Sequence, residues 1–338
     1  MSDITYLAGQ LIFKVEFHVG TSVYVILQSG RAGRARLSDW DPARLPENPS
    51  KLVAIIKFVR VEHTFLSLPM AYSGAFVAIM GIPPLRILVF IFVALFFLRV
   101  AGMTMDNLVD LEVDSLNPRT RNRPLVTGAI KVKEAWAMLL VSTAGFFLSA
   151  YMINVWALVL SPVIAGVVLS YPYVKKYTHF GAYHIALIEA LSLFSGAVAS
   201  AGSSAEGIAQ LMSNIPWLLV FSTLFWAVGF DLYNHIIDID FDRSVGVKNL
   251  TILLSDRALQ FAGFNQIASV LLAFIADFVY RLGPISYAAT VAHGLIMAYA
   301  YMRATRQDYG SAFNYNIVSS IVLGTGIVID VALGRPWL

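Results

Sequence analysis

Nine stretches, each of about twenty mostly apolar residues, recur along this chain and limit its fold more than any other feature. They run over 53–80, 85–107, 133–150, 153–170, 183–202, 214–236, 257–280, 284–303 and 314–333. A helix of that length crosses the hydrocarbon core of a bilayer. Lipid offers no partner for free backbone groups, so segments this apolar must close their hydrogen bonds internally. The expected fold is therefore all-α, a polytopic membrane protein with nine transmembrane helices. Composition agrees: 58% of residues are hydrophobic and only 13% charged, where soluble domains carry about 25% charged residues. That excludes a disordered, collagen-like or disulfide-framework chain and argues against an ordinary soluble enzyme.

The short loops set the topology. Arg119, Arg121, Arg123, Lys131 and Lys133 lie between spans 2 and 3, and Lys175 and Lys176 between spans 4 and 5. Arg243, Lys248 and Arg257 lie between spans 6 and 7, and Arg303 and Arg306 between spans 8 and 9. The opposite side carries little more than Arg86, Arg281 and Arg335. Positive loops stay in the cytoplasm. The N-terminus is then expected inside, the C-terminus outside, and the chain in the cell membrane. A net charge of +3 is accounted for by this placement, and no nucleic-acid partner is expected.

Two domains are expected, an N-terminal extramembrane segment over 1–50 on the cytoplasmic side and a membrane domain over 51–338. The N-terminal segment lacks the basic start and small-residue cleavage site of a signal peptide. Phe13, Val15, Phe17 and Val19 alternate with Lys14, Glu16 and His18, which suits a strand turning near Gly20. A membrane-surface helix and a solvated basic linker, with Arg31, Arg34 and Arg36 near lipid headgroups, compete with it.

The chemistry concentrates where spans meet the cytoplasm. Asp106, Asp110 and Asp114 follow the spacing i, i+4, i+8. Four residues turn a helix by about 400°, so all three share one face. Stacked carboxylates repel and need a cation. Mg²⁺ suits them, because it is commonly held by carboxylates together with substrate phosphates. Arg119, Arg121 and Arg123 follow in the next loop, and arginine forks match phosphate geometry. An acidic helix end beside a basic loop also occurs without function. Here the spacing recurs 128 residues later as Asn234, Asp238 and Asp242, with Asp231 a turn deeper and Lys248 beyond Gly246. Two such ends on one side of the membrane point to a two-metal or diphosphate site. Asp240 points away from that face.

Tyr171 and Lys175 end span 4 on the same side. By themselves they look like an interfacial aromatic and a snorkelling lysine; beside the acidic ends they also suit a phosphate. They recur at the same offset as Tyr299 and Arg303, which suggests two four-helix halves plus a ninth helix. Arg99 lies two turns deeper than Asp106 on its face, and Arg60 lies in span 1. A charge inside a span is a functional hypothesis by default. Two roles are open to Arg99: pairing with Asp231 or binding a substrate carboxylate.

Other chemistries find no support. The chain has no cysteine, which removes disulfides, cysteine-ligated metals and a thiol nucleophile. His63, His179, His184, His235 and His293 lack zinc-like spacing. There is no glycine-rich phosphate loop and no GxSxG.

With these residues in view, the chain resembles the UbiA superfamily of intramembrane prenyltransferases over roughly 55–335. MDNLVDLEVDSLNPRTRNRPLVTG, residues 105–128, is similar to that family's NDxxDxxxD motif and its Asn-Arg-Pro-Leu stretch. Asp238 and Asp242 match its DxxxD motif, and Tyr171 and Lys175 its YxxxK element. Among members it looks most like 4-hydroxybenzoate polyprenyltransferases, through LRVAGMTMDN, NPRTRNRPLVTGAI and GFDLYNHIIDIDFDRSVGVK. The family's Asn-Asp pair reads Asp106-Asn107 here, which adds a carboxylate to the ligand face and turns residue 107 away.

The resemblance implies nine helices and Mg²⁺-dependent transfer of a polyprenyl group from its diphosphate to an aromatic acid such as 4-hydroxybenzoate. Asp106, Asp110 and Asp114 are expected to hold one Mg²⁺, and Asp238 and Asp242 a second. Arg119, Arg123, Lys175, Tyr171, Lys248 and Asn234 are expected around the diphosphate, Asp231 as the base, and Arg99 or Arg60 on the acceptor carboxylate. The prenyl tail would lie towards the bilayer. Two rivals are geranylgeranyl transfer to a glycerol phosphate lipid precursor and a cation-coupled transporter. The composition leaves the oligomeric state, prenyl length and acceptor open.

Overall fold

The computed structural model describes residues 3–7, 10–17, 21–28, 49–60, 64–117, 120–237, 239–244, 246 and 248–334. The chain divides into two compact units, Met1–Trp40 and Asp41–Leu338. In the first unit, β1 (Asp3–Leu7), β2 (Gln10–Phe17) and β3 (Thr21–Gln28) form an antiparallel sheet in sequence order. Phe13 pairs with Ile4 on one side and with Val25 on the other. The all-α expectation thus describes the second unit only. The alternation over residues 13–17 is the period of a half-buried strand, and it prevails here over a surface helix. Gly20 lies outside the described residues.

The second unit is helical. It contains α1 (Lys51–Val59), α2 (Thr64–Ile79), α3 (Leu85–Leu116), α4 (Val132–Ile153), α5 (Val155–Tyr177) and α6 (Gly181–Ala201). It continues with α7 (Ile208–Ser213), α8 (Trp217–Ile237), α9 (Ile239–Ser244), α10 (Leu250–Leu254), α11 (Ala258–Val279), α12 (Pro284–Thr305) and α13 (Tyr309–Ala332). Seven helical segments among the described residues are long and apolar enough to cross a membrane: α3, α4, α5, α6, α8, the run Leu250–Val279 and α13. The protein is a multi-pass membrane protein.

Two of the nine expected spans fall outside these seven. The expected span 53–80 is two helices, because Arg60 adopts φ 49 and its backbone N–H closes α1 on Ile56 O. What remains, α2, has 16 residues. The eighth stretch, α12, has 22 residues but falls short in hydropathy.

Outward apolar side chains explain where lipid lies. Leu140, Leu148, Phe264, Phe278 and Leu295 are all exposed, which no soluble surface of this size would tolerate together. α6 and α8 are the most enclosed spans, while α3, α4 and α5 keep much of their surface outward. α2 packs on α6, α6 on α8, and α8 on α11 and α13, while α3, α4 and α5 pack on one another. The core therefore sits around α6 and α8, and the inner faces of α2, α3 and α5 turn towards it.

Small residues make the central crossing possible. A Cβ at Gly74 of α2 would fall 2.1 Å from Leu193 O, and one at Gly196 of α6 would fall 1.8 Å from Ala71 O. Close backbone approach of this kind is how helices associate where lipid removes the hydrophobic drive.

Candidate active site

The i, i+4, i+8 row on α3 faces a single cavity. Asp106 and Asp110 are bridged by Lys175 from the last turn of α5, with Nζ 2.7 Å from Asp106 Oδ1 and 2.5 Å from Asp110 Oδ2. Asp114 receives Arg123 Nη1 at 2.7 Å, with both side chains buried. Thr120 Oγ1 donates to the backbone oxygen of Asp114 at 3.0 Å and holds the loop against the helix end. Charges taken out of water at this depth are tolerated only when paired, and each carboxylate here has a cation. The Lys175 ammonium also lies 5.4 Å from the Tyr171 ring centre, close enough for a cation–π contact. Tyr171 in turn stacks on His184 at 6.1 Å.

The facing wall comes from α8 and α9. Asp231 is buried and lies 3.2 Å from His235 Nε2, one turn along α8. Asn249 caps α10 by accepting from Ile252 N at 2.7 Å, and its Nδ2 donates to Asp242 Oδ2 at 2.7 Å. The cap thereby steers the Asp242 carboxylate. Asp240 is exposed, away from this wall.

Between these walls lies a cavity of about 320 Å³. Its lining includes Asp106, Asp110, Asp114, Arg123, Tyr171, Lys175, Asn234 and Asp242 towards the helix ends, and Asp231, Arg99 and Arg60 as well. Apolar walls continue it along Ile91, Leu95, Leu98, Phe146, Ile164 and Val168. One enclosure therefore joins a charged end to a lipid-like channel.

Lys248 is exposed and does not line this cavity. Asp238 and Arg119 lie outside the described residues. Asn107 turns away, with Nδ2 donating to Met103 O at 2.7 Å and to Phe58 O at 3.4 Å. The repeat copies Tyr299 and Arg303 do not line the cavity; Tyr299 meets Tyr315 edge-on and Arg303 pairs with Asp308. Asp231 is engaged by His235, and Arg99 lines the same cavity.

Glu189 is a cavity residue that the motifs did not point to. It is buried, accepts from Ser67 Oγ at 2.7 Å and lines the cavity with Ser67 and Arg99. The signal for it was in the sequence, since it is the sole charged residue of α6.

The donor set fits Mg²⁺. Asp106, Asp110, Asp114 and Asp242 all present hard oxygen donors to the cavity, as that ion requires. Among the described residues no three acidic or imidazole groups converge closely enough to hold a metal alone. The donors are divided between α3 and α9, so phosphate oxygens would have to complete the shell, which is the usual arrangement for Mg²⁺.

Comparison with known proteins agrees with this geometry. The sequence pattern of the UbiA prenyltransferase family matches residues 67–319. A 4-hydroxybenzoate octaprenyltransferase of Alkalilimnicola ehrlichii is 27% identical over 265 residues, covering 77% of this chain and 87% of that protein. The apo structure of a UbiA homologue from Aeropyrum pernix K1 superposes with a TM-score of 0.76 at 36% identity, over 80% of this chain and 98% of that one. A UbiA homologue from Archaeoglobus fulgidus, bound to GPP and Mg²⁺, shares the fold with a TM-score of 0.61 at 21% identity, over 82% and 99% of the two chains.

Proposed function

Because this chain belongs to the UbiA prenyltransferase family, we propose that it transfers a polyprenyl group from its diphosphate to an aromatic acid such as 4-hydroxybenzoate. The observation that carries this reading is the single cavity in which a carboxylate-and-cation end opens into an apolar channel past Arg99 and Asp231. A diphosphate with a long hydrocarbon tail has the same two-part chemistry. The similarity to a 4-hydroxybenzoate octaprenyltransferase supports the acceptor class.

The site residues divide by task. Asp106, Asp110 and Asp114 would hold one Mg²⁺, and Asp238 and Asp242 a second. When bound, the metal supplies positive charge to the leaving diphosphate. Lys175, Arg123 and Arg119 add cationic charge at the same end, with Tyr171 and Asn234 as hydrogen-bonding partners; Lys248, which faces solvent, is not among them. Fixed cations at the oxygens where charge grows favour the transition state over the ground state.

The allylic carbon–oxygen bond breaks and its electron pair leaves with the diphosphate. The ring carbon ortho to the phenol then bonds to the allylic carbon. The ring proton passes to Asp231, which lies in the cavity beside His235. Arg99, with Arg60 at the α1–α2 break, fixes the acceptor carboxylate. The apolar walls from α3, α4 and α5 take the prenyl tail and keep water from the cation.

The topology proposed with this reading has nine membrane crossings in two four-helix halves plus a ninth, with α2 and α12 completing the set. In this topology the active site and the N-terminal unit would lie at the cytoplasmic face of the cell membrane, as the basic loops favour.

The test is prenyl transfer by the purified protein in detergent with Mg²⁺. Geranyl and geranylgeranyl diphosphates would be offered with 4-hydroxybenzoate, other aromatic acids and geranylgeranylglyceryl phosphate. Mg²⁺-dependent prenylation of an aromatic acid, lost in Asp110→Ala and Asp238→Ala, is the expected result. Transfer to the glycerol phosphate acceptor alone would overturn the acceptor assignment.

A further inference from the structure

Asn249 is a buried amide with no task in the reaction as written, and it bonds in three directions. It is 3% exposed. Its Oδ1 accepts from Ile252 N at 2.7 Å and so caps α10. That bond settles which way the amide lies, because only its oxygen can accept from a backbone N–H. Nδ2 therefore faces Asp242 and donates to Oδ2 at 2.7 Å. The backbone oxygen of Asn249 takes a third bond, from His179 Nδ1 at 3.1 Å. A carbonyl only accepts, so the imidazole carries a proton on that nitrogen.

His179 belongs to the turn that joins α5 to α6. Thr178 shapes this turn: its hydroxyl donates to Val174 O at 2.8 Å and accepts from Phe180 N at 3.1 Å. The turn packs closely on the end of α5, since a Cβ at Gly181 would fall 3.2 Å from Lys175 Cα. Lys175 precedes His179 by four residues and bridges Asp106 and Asp110. A continuous set of contacts thus runs from the Lys175 end of α5, through His179 and Asn249, to Asp242. Lys175 and Asp242 line the same cavity. The set ties the wall that carries the acidic row to the wall built by α8 and α9.

We propose that Asn249 and His179 are positioning residues that clasp Asp242 in place for Mg²⁺. Asp242 sits on α9, a helix of six residues. A helix that short does not hold itself in place and needs a tie from outside. Asn249 fixes the plane of the Asp242 carboxylate, and His179 fixes Asn249 to the opposite wall. Hydrogen-bonded partners behind a ligating carboxylate set its orientation and with it the affinity for the metal. Neither residue belongs to the acidic rows or to the basic loop. This inference rests on the reading of Asp242 as a ligand of Mg²⁺.

The experiment titrates Mg²⁺ calorimetrically into the purified protein holding a non-hydrolysable prenyl diphosphate analogue, beside thermal melts in detergent. Asp242→Asn tests the underlying reading. If it binds Mg²⁺ as wild type does, Asp242 is no ligand, and that reading falls together with the clasp. Given a loss there, Asn249→Ser tests the clasp alone. Serine caps a helix as asparagine does but is too short to reach Asp242. It should raise the Kd for Mg²⁺ about tenfold, as loss of a bond behind a metal ligand does, and leave the melting temperature close to that of wild type. In the Asp242→Asn background the same change should cost nothing further, because the carboxylate it orients is gone. His179→Phe should weaken Mg²⁺ several-fold, and His179→Asn, whose amide N–H replaces that of Nδ1, should recover most of the loss; this pair serves alone if Asn249→Ser does not fold. Unchanged Mg²⁺ affinity in Asn249→Ser, an equal loss in both His179 variants, or a loss of affinity matched by a fall in melting temperature overturns the proposal.

Discussion

Arg123 and Asp114 meet in a buried ion pair, Nη1 to Oδ2 at 2.7 Å, that ties the loop after α3 back onto the helix that carries the acidic row. The pair lies within the cavity lining, so it orders the site and supplies charge to it together.

Removing one partner of such a pair leaves the other buried without compensation. Arg123→Ala is therefore expected to destabilise the protein by about 3–5 kcal/mol, the usual penalty for breaking a buried pair. Arg123→Lys keeps the charge but not the planar fork, and should lose less stability while still weakening diphosphate binding. Thermal melts in detergent and the KM for the prenyl diphosphate check the two parts separately.

Lys175 stands between two of the carboxylates assigned to Mg²⁺. An ammonium there neutralises the donors and so competes with the metal for them. Lys175→Met should let the Mg²⁺ titration reach half-saturation at a several-fold lower concentration, since a nearby positive charge is gone. At the same time kcat should fall, because a cation facing the leaving oxygens is lost. Calorimetric Mg²⁺ titration with a non-hydrolysable diphosphate, beside a rate assay, separates the effects. Weaker Mg²⁺ binding in this variant would contradict the assignment.

The crossing of α2 and α6 yields a stability contrast among glycines. Gly196→Ala pushes a methyl group to within 1.8 Å of the Ala71 backbone oxygen, whereas a Cβ at Gly166 on α5 meets nothing within 4 Å. Overpacking of this kind costs about 1–3 kcal/mol or more, and a backbone oxygen cannot swing aside as a side chain does. Gly166→Ala should leave the melting temperature unchanged or slightly raised. Equal melting temperatures for the two variants would count against the crossing.

Much of this architecture was readable because lipid leaves a chain few options. An apolar run of span length has to be a helix, and the row Asp106, Asp110, Asp114 then shares a face by geometry alone. What was not readable depends on backbone states and on tertiary neighbours. Arg60 takes a left-handed φ with no glycine to announce it, so the α1–α2 break was hidden inside an apolar stretch. Lys248 follows an acidic helix end in sequence yet faces solvent, because a loop's direction is set by what it packs on. Glu189 carried its own signal as a charge inside a span, but it belongs to no motif, and its place in the cavity wall appears only once α2 is brought beside α6. Strand β2 carries the period-two pattern of residues 13–17, whereas β1 and β3 show no such alternation to announce them.

Asp231 separates chemistry from binding. It lies one turn deeper than Asn234 on α8, buried in the cavity and paired with His235 at 3.2 Å. The acidic row on α3 and Lys175 lie at the diphosphate end, and Asp231 takes no part in their ion pairs. Asp231→Asn preserves shape and hydrogen bonding but cannot accept the ring proton. Loss of a general base typically lowers the rate by about 10²–10⁴-fold, so kcat should drop within that range while the KM for the prenyl diphosphate stays nearly constant. Asp110→Ala should instead abolish Mg²⁺-dependent turnover and weaken diphosphate binding, as loss of a metal ligand does. Should Asp231→Asn raise the donor KM instead, with kcat preserved, the carboxylate would belong to the diphosphate end and the proton would need another acceptor, for which His235 is the neighbour within reach.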